Sequence, residues 1–121
     1  MNVLDASAVL AFLQGDSGAE VVEDALREGA TIGAANWSEA MQKVLAGARS
    51  WDLSAALLAS YGMRVEPVTV EDAEEAARAW RRTAQHSLGD RLCLALGERL
   101  DATVLTADRA WGSRGRVRQI R

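Results

Sequence analysis

The stretch Asn2-Val-Leu-Asp-Ala-Ser-Ala8 decides how this chain is read. A short apolar run, Val3 and Leu4, stops at a carboxylate, Asp5, and a helix-like segment opens immediately after it. A strand that ends in Asp and turns directly into a helix puts that carboxylate at the carboxyl edge of a sheet. In open parallel α/β sheets, this is the edge where ligands and metals bind. The pattern returns at Ala102-Thr-Val-Leu-Thr-Ala-Asp108, again an apolar strand followed by Asp and a turn of helix. Two strands delivering carboxylates to one edge imply a shared acidic site.

The intervening sequence supplies the rest of an α/β domain. Helices are expected over Ala6–Leu13 and Ala19–Glu28, then a short strand over Ala30–Ala35. Asn36 opens a helix with Trp37, Ala40, Met41, Val44, Leu45 and Ala48 at helical spacing. A further helix near Asp52–Tyr61 stops at Gly62, and a weak strand, Arg64–Val68, contains the sole proline. Thr69–Gln85 is amphipathic, with Ala73, Ala76, Ala77, Trp80 and Ala84 as its apolar stripe. Leu88–Leu100 is apolar around most of its circumference and is expected to be a central buried helix. A last strand falls around Arg116–Ile120. Strands alternating with helices give a parallel sheet covered on both faces, a three-layer α/β domain spanning residues 1–121.

Composition narrows the classes. The chain has 121 residues, enough for one core, and about half of them are apolar. No run is long enough to cross a bilayer, and no basic segment followed by an apolar one marks a signal peptide. One cysteine, Cys93, excludes an internal disulfide, and its apolar setting suggests a buried thiol in a reducing cytoplasm. The net charge of −3 is unevenly spread: five arginines and no acid follow Asp108, while residues 1–108 carry nine basic and seventeen acidic groups. An Arg-rich end fits a polyanion-binding rim or a strand edge protected against pairing.

Four acids stand where a turn meets a helix: Asp5, Glu39, Asp90 and Asp108. Each has a plain explanation. Asn36-Trp-Ser-Glu39 and Ser87-Leu-Gly-Asp90 have the form of capping boxes, and Asp5 and Asp108 that of N-caps. Thr69-Val-Glu-Asp72 has the same form, and Asp72 is assigned to capping alone. Together, however, four carboxylates in one cleft repel and call for cations. Hard oxygen ligands select Mg²⁺ or Mn²⁺, with Ser7 and Thr106 as accessory hydroxyls. A histidine-pair ribonuclease fails because His86 is alone, and a phosphate-cradling Gly-Lys-Ser/Thr loop is missing. Metal-assisted hydrolysis of a phosphodiester is the chemistry left.

Val3-Leu-Asp-Ala-Ser-Ala8, Asn36-Trp-Ser-Glu39, Ser87-Leu-Gly-Asp-Arg-Leu-Cys-Leu-Ala-Leu96 and Val104-Leu-Thr-Ala-Asp-Arg-Ala-Trp111 resemble the PIN domain, and more narrowly VapC-type toxins of toxin–antitoxin pairs. The resemblance implies a five-stranded parallel sheet in order 3-2-1-4-5 and a Mg²⁺- or Mn²⁺-dependent endoribonuclease. It also implies a homodimer inhibited by a cognate antitoxin. It places the family's acids on Asp5, Glu39, Asp90 and Asp108 and its hydroxyls on Ser7 and Thr106. Trp37 and Met41 are departures from the family's usual residues around Glu39. The expected chemistry is attack of a metal-activated water on RNA phosphorus, leaving 5′-phosphate and 3′-hydroxyl ends. Arg91, Arg109, Arg114 and Arg116 are candidates for phosphate contacts, and single-stranded or loop RNA is the expected substrate. Surplus apolar surface on the two middle helices, including Trp51, Leu53, Leu57, Leu58 and Tyr61, points to a dimer interface and an antitoxin groove. Two alternatives stand beside this reading: a catalytically silent protein-binding module, and a nuclease of the same fold working on structured DNA or in RNA processing.

Overall fold

The computed structural model describes residues 1–83 and 85–121. In chain order its elements are β1 (Asn2–Leu4), α1 (Ala6–Gln14), α2 (Ala19–Glu28), β2 (Ala30–Gly33), α3 (Ala34–Ala46), α4 (Trp51–Ser60), β3 (Arg64–Glu66), α5 (Val70–Arg78), α6 (Leu88–Arg99), β4 (Thr103–Thr106) and β5 (Val117–Gln119). A single 3₁₀ turn, Arg109–Trp111, lies between β4 and β5. The sheet order is β3-β2-β1-β4-β5, the order that the resemblance implies, and every pairing is parallel, as the alternation of strands and helices predicts.

The central strand explains the layers. Side chains alternate across a strand, so Val3 and Leu4, both fully buried, serve opposite faces. Leu4 joins Val9, Val22, Leu26, Ile32, Leu58 and Leu105 beneath α1, α2 and α4. Val3 joins Cys93, Leu96, Val104 and Trp111 beneath α6. Leu4 is in register with Ile32 on β2 and Leu105 on β4, so Asp5, Gly33 and Thr106 arrive together at the carboxyl edge.

Two features let α6 sit close to that sheet. Gly97 faces β4, where an added Cβ would come within 2.3 Å of Val104 Cγ2. On its outer side α6 is clamped to α5 by two arginines. Arg99 Nε donates to Asp72 Oδ1 at 3.0 Å, and Arg91 Nη1 donates to the Ala76 carbonyl at 2.6 Å.

Three features depart from the sequence reading beyond a shift of a residue or two at element ends. β2 ends at Gly33 and α3 begins at Ala34, so Asn36 lies inside the first turn of α3 and is not its cap. α5 stops at Arg78, and Arg81 Nη1 folds back onto the carbonyls of Arg78 and Trp80 at 2.9 and 2.8 Å. Ala76 on its stripe is buried, but Trp80 is 53% exposed, and Ala84 lies outside the described residues. α6 is buried along Cys93–Gly97 but not around its first turn, where Leu88 is exposed.

Candidate active site

The ends of β1 and β4 are stitched together by hydroxyls. Asp5 is buried and caps α1, its Oδ1 accepting the Ala8 amide at 2.8 Å. Ser7 Oγ lies 2.7 and 2.9 Å from the two Asp5 oxygens, and Thr106 Oγ1 donates to Oδ2 at 2.5 Å. The same two hydroxyls accept the next backbone amides of the β4 turn: Ala107 N–H donates to Ser7 at 2.9 Å, and Asp108 N–H to Thr106 at 3.0 Å. Asp108 is exposed and caps the 3₁₀ turn through the Ala110 amide at 2.9 Å.

A second pair of acids is built where α3 meets α6. Asp90 forms the expected capping box: its Oδ2 accepts the Ser87 amide at 3.0 Å, and its own amide donates to Ser87 Oγ at 3.1 Å. Glu39 does not cap α3. Its Oε1 accepts from Asn36 Nδ2 at 2.7 Å, and the same amide nitrogen reaches across to the Gly89 carbonyl at 3.1 Å. Gly89 makes room for this carboxylate, since a Cβ there would stand 2.9 Å from both Glu39 oxygens. Asn36 and Gly89 are therefore part of the site, and the sequence reading missed both roles. It paired Asn36 with Glu39 through a capping geometry that the earlier start of α3 rules out.

Burial raises the Asp5 pKa, hydrogen bonds from Thr106, Ala8 and Ser7 oppose the rise, and the charge of Asp90 adds to it. Burial pushes the Cys93 thiol well above its usual value, and the charges of Asp5, Asp90 and Glu39 push it further. Cys93 is thus an inert packing residue beneath the acids. Asp108 stands beyond Thr106 on the outer side. Among the described residues, no ion pair involves Asp5, Glu39, Asp90 or Asp108.

A family model for the PIN domain matches residues 3–116. The chain belongs to the PIN domain family. Its fold is similar to that of a toxin–antitoxin complex from Klebsiella pneumoniae, with a TM-score of 0.77 and 16% identity, covering 100% of this chain and 98% of that one. It is also similar to the Sarcin-Ricin loop cleaving toxin VapC20 of Mycobacterium tuberculosis, with a TM-score of 0.65 and 14% identity, covering 88% of each chain. No curated protein matches the chain.

In this PIN domain the four arginine candidates divide. Arg91 is turned onto the Ala76 carbonyl, and Arg116 is held by Glu98 at 2.9 Å and Asp101 at 3.2 Å. Arg109 and Arg114 are exposed. A cavity of about 400 Å³ beside Ser7 and Asp108 is also lined by Gln14, Lys43 and Arg121. It brings the sole lysine next to the acidic edge, which nothing in the spacing of Lys43 foretold.

The donor set suits a hard divalent cation in type and charge. Asp90 Oδ1, Asp108 Oδ2 and Glu39 Oε2 accept no hydrogen bond among the described residues. The same residues do not close into a cage, for no three of them are grouped tightly enough to hold one ion between them. A Mg²⁺ ion that keeps several of its waters does not require such a cage.

Proposed function

We propose that this PIN domain is a Mg²⁺- or Mn²⁺-dependent endoribonuclease and the toxin of a toxin–antitoxin pair. What supports the reading is where the chain carries its acids: Asp5 follows β1, Asp108 follows β4, and Glu39 and Asp90 lie in the early turns of α3 and α6, with no ion pair to any of them among the described residues. A cap needs a backbone amide, and Asp5, Asp90 and Asp108 each have one. A cap has no need of three further carboxylates nearby.

Asp5, Asp90 and Asp108 are the principal metal ligands in this reading, and Glu39 is a ligand directly or through water. Ser7 and Thr106 hold Asp5 in orientation and keep its lone pairs aimed. A bound divalent ion supplies a lowered pKa for the attacking water and offsets charge on the phosphate. Attack by water, and not by a ribose 2′-hydroxyl, leaves 5′-phosphate and 3′-hydroxyl ends. Arg109, Arg114 and the Lys43–Arg121 cavity are where phosphates of a single-stranded substrate are met.

A homodimer and an antitoxin helix are proposed for α3 and α4. Met41, Leu45, Leu53 and Leu57 are exposed there, whereas Leu58 is buried. Trp51 packs edge-on against Trp37 at 4.7 Å, and Tyr61 against Phe12 at 5.6 Å.

Asp90→Asn tests the reading. Asn at this third helical position keeps an oxygen able to accept the Ser87 amide but lacks the charge. The expected result is a fold and melting temperature close to the parent with RNA cleavage abolished in Mg²⁺ or Mn²⁺. Full activity in this variant reduces Asp90 to a helix cap and removes it from the metal site proposed here. Cleavage of single-stranded DNA in preference to RNA redirects it to a DNA nuclease of the same fold. Cleavage by neither parent nor variant leaves a silent binding module.

A further inference from the structure

The segment 79–87 joins α5 to α6 and ends beside the acidic edge. The two clamping arginines, Arg99 on Asp72 and Arg91 on Ala76, show that the helices run antiparallel. Chain that continues past Ala76 therefore projects beyond the start of α6, on the side of Asp90. Trp80 lies one turn further on. It is 53% exposed and belongs to neither core cluster. The guanidinium carbon of Arg82 sits 5.9 Å from its ring centroid, at the outer limit of a cation–π contact. Arg81 is anchored on the Arg78 and Trp80 carbonyls through one nitrogen, Nη1. Residues 79–86 hold two arginines, Arg81 and Arg82, and no acid, while Arg78 pairs with Glu75 at 3.3 Å. At the far end of the segment the His86 ring lies 5.7 Å from that of Trp111, which ties it to the turn following Asp108.

We infer that the Trp80–Arg82 corner is a docking platform for single-stranded RNA. The Trp80 indole stacks one unpaired base, and Arg82 and Arg81 meet the flanking phosphates. This rests on the nuclease reading above and names where its substrate is gripped. Stacking on an aromatic face is open to any base, and a neighbouring arginine adds to it. A duplex keeps its bases stacked on one another and offers no free face. Arg91 and Arg116 are turned to internal partners, and Arg82 adds a cation beside Trp80 to the exposed Arg109 and Arg114. The position of the corner beyond Asp90 gives a bound strand a direct course to the carboxylates.

The test measures binding apart from cleavage. Affinity for a fluorescein-labelled single-stranded RNA is read by anisotropy in EDTA, with a thermal melt of each variant beside it. Trp80→Ala should weaken binding on the order of ten-fold, the scale of one stacked base, while Trp80→Phe keeps most of it. Arg82→Gln should reduce the slope of log affinity against log salt by about 0.7, one phosphate contact on a single strand. Binding to a fully paired RNA should change little. If Trp80→Ala binds and cleaves RNA as the parent does, the platform is wrong while the nuclease reading stands. Should Trp80→Ala instead lose self-association or antitoxin binding with RNA affinity intact, the corner is a protein contact and the inference falls. A parent protein that neither binds nor cleaves RNA defeats the nuclease reading itself.

Discussion

Thr106 donates its hydroxyl to Asp5 Oδ2 across the seam between β4 and β1, and Thr106 Oγ1 itself accepts the Asp108 amide at 3.0 Å. One side chain thus orients a buried carboxylate and fixes the backbone that carries an exposed one. Thr106→Val keeps the shape and removes both bonds. It leaves the Asp108 amide without its acceptor, and it takes a donor from an Asp5 carboxyl that burial already disfavours as an anion. The expected cost is about 1–3 kcal/mol of stability by urea unfolding, with a larger proportional loss of RNA cleavage. Thr106→Ser restores the hydroxyl and should recover most of both. Equal activity in Thr106→Val and parent would remove Thr106 from the site.

Gly89→Ala separates the position of Glu39 from the stability of α6. Gly89 lies within the first turn of that helix, where Ala is ordinarily favoured over Gly by about 0.5–1 kcal/mol. The new methyl would stand 2.9 Å from both Glu39 oxygens, so the carboxylate at the end of a flexible side chain must move. The outcome anticipated is an unchanged or slightly raised melting temperature with reduced metal-dependent cleavage. Retained cleavage would mean that Glu39 does not need this position to act.

The sheet was legible because β1 and β4 state their case within a few residues: apolar, apolar, carboxylate, then a helix start. Asp5, Asp108 and the Ser87–Asp90 capping box follow from local pattern alone. The environment of Glu39 did not, because it depends on where α3 begins. Gly33 lets the chain turn into helix at Ala34, two residues before the residue that looked like the cap. Propensity places such boundaries poorly, and here the shift turns a local cap into a bridge between α3 and α6. The end of α5 was hidden for a related reason. The alanine stripe continues past Arg78 in sequence, and the fold-back of Arg81 onto the Arg78 and Trp80 carbonyls at the helix end is a contact that spacing does not reveal. The internal duties of Arg91 and Arg116 are tertiary and leave no mark in the spacing of arginines.

Asp72 gives the clamp between α5 and α6 a defined pH dependence. It is buried, accepts the Thr69 amide at 3.1 Å, and takes two bonds from Arg99 at 3.0 and 3.1 Å. Burial alone would raise its pKa, but the Arg99 and Thr69 bonds outweigh it and hold the carboxyl below the usual range. Between the native and unfolded values the unfolded chain binds the extra proton, so stability rises with pH across that window. The contribution is complete above the ordinary carboxylate value of 3.8 and is lost as pH falls through the native one. Asp72→Asn, which keeps the cap, should cost about 1–3 kcal/mol near neutral pH. The gap from the parent should close in acid, as urea unfolding across a pH series would register. A gap that stays constant into acid would show that the Asp72 charge contributes nothing.

The last expectation concerns divalent ions and the protein's own stability. Asp5 lies in a buried setting with the Asp90 charge close enough to raise its pKa, and no described cation faces either of them. An ion bound there in the native state alone stabilises by RT ln(1 + [L]/Kd), about 2.7 kcal/mol at one hundred times Kd. Because no three carboxylates form a closed cage, affinity should be modest and the melting temperature should climb steadily as Mn²⁺ is raised toward millimolar. Matching the ionic strength with NaCl should not reproduce the rise, since screening relieves repulsion without filling a site. Asp108→Asn and Asp90→Asn should each shrink the Mn²⁺ response. Asp90→Asn should also leave the metal-free protein at least as stable as the parent, because one charge has been taken from beside Asp5. A melting temperature indifferent to Mn²⁺ at neutral pH would deprive the clustered carboxylates of their proposed ligand.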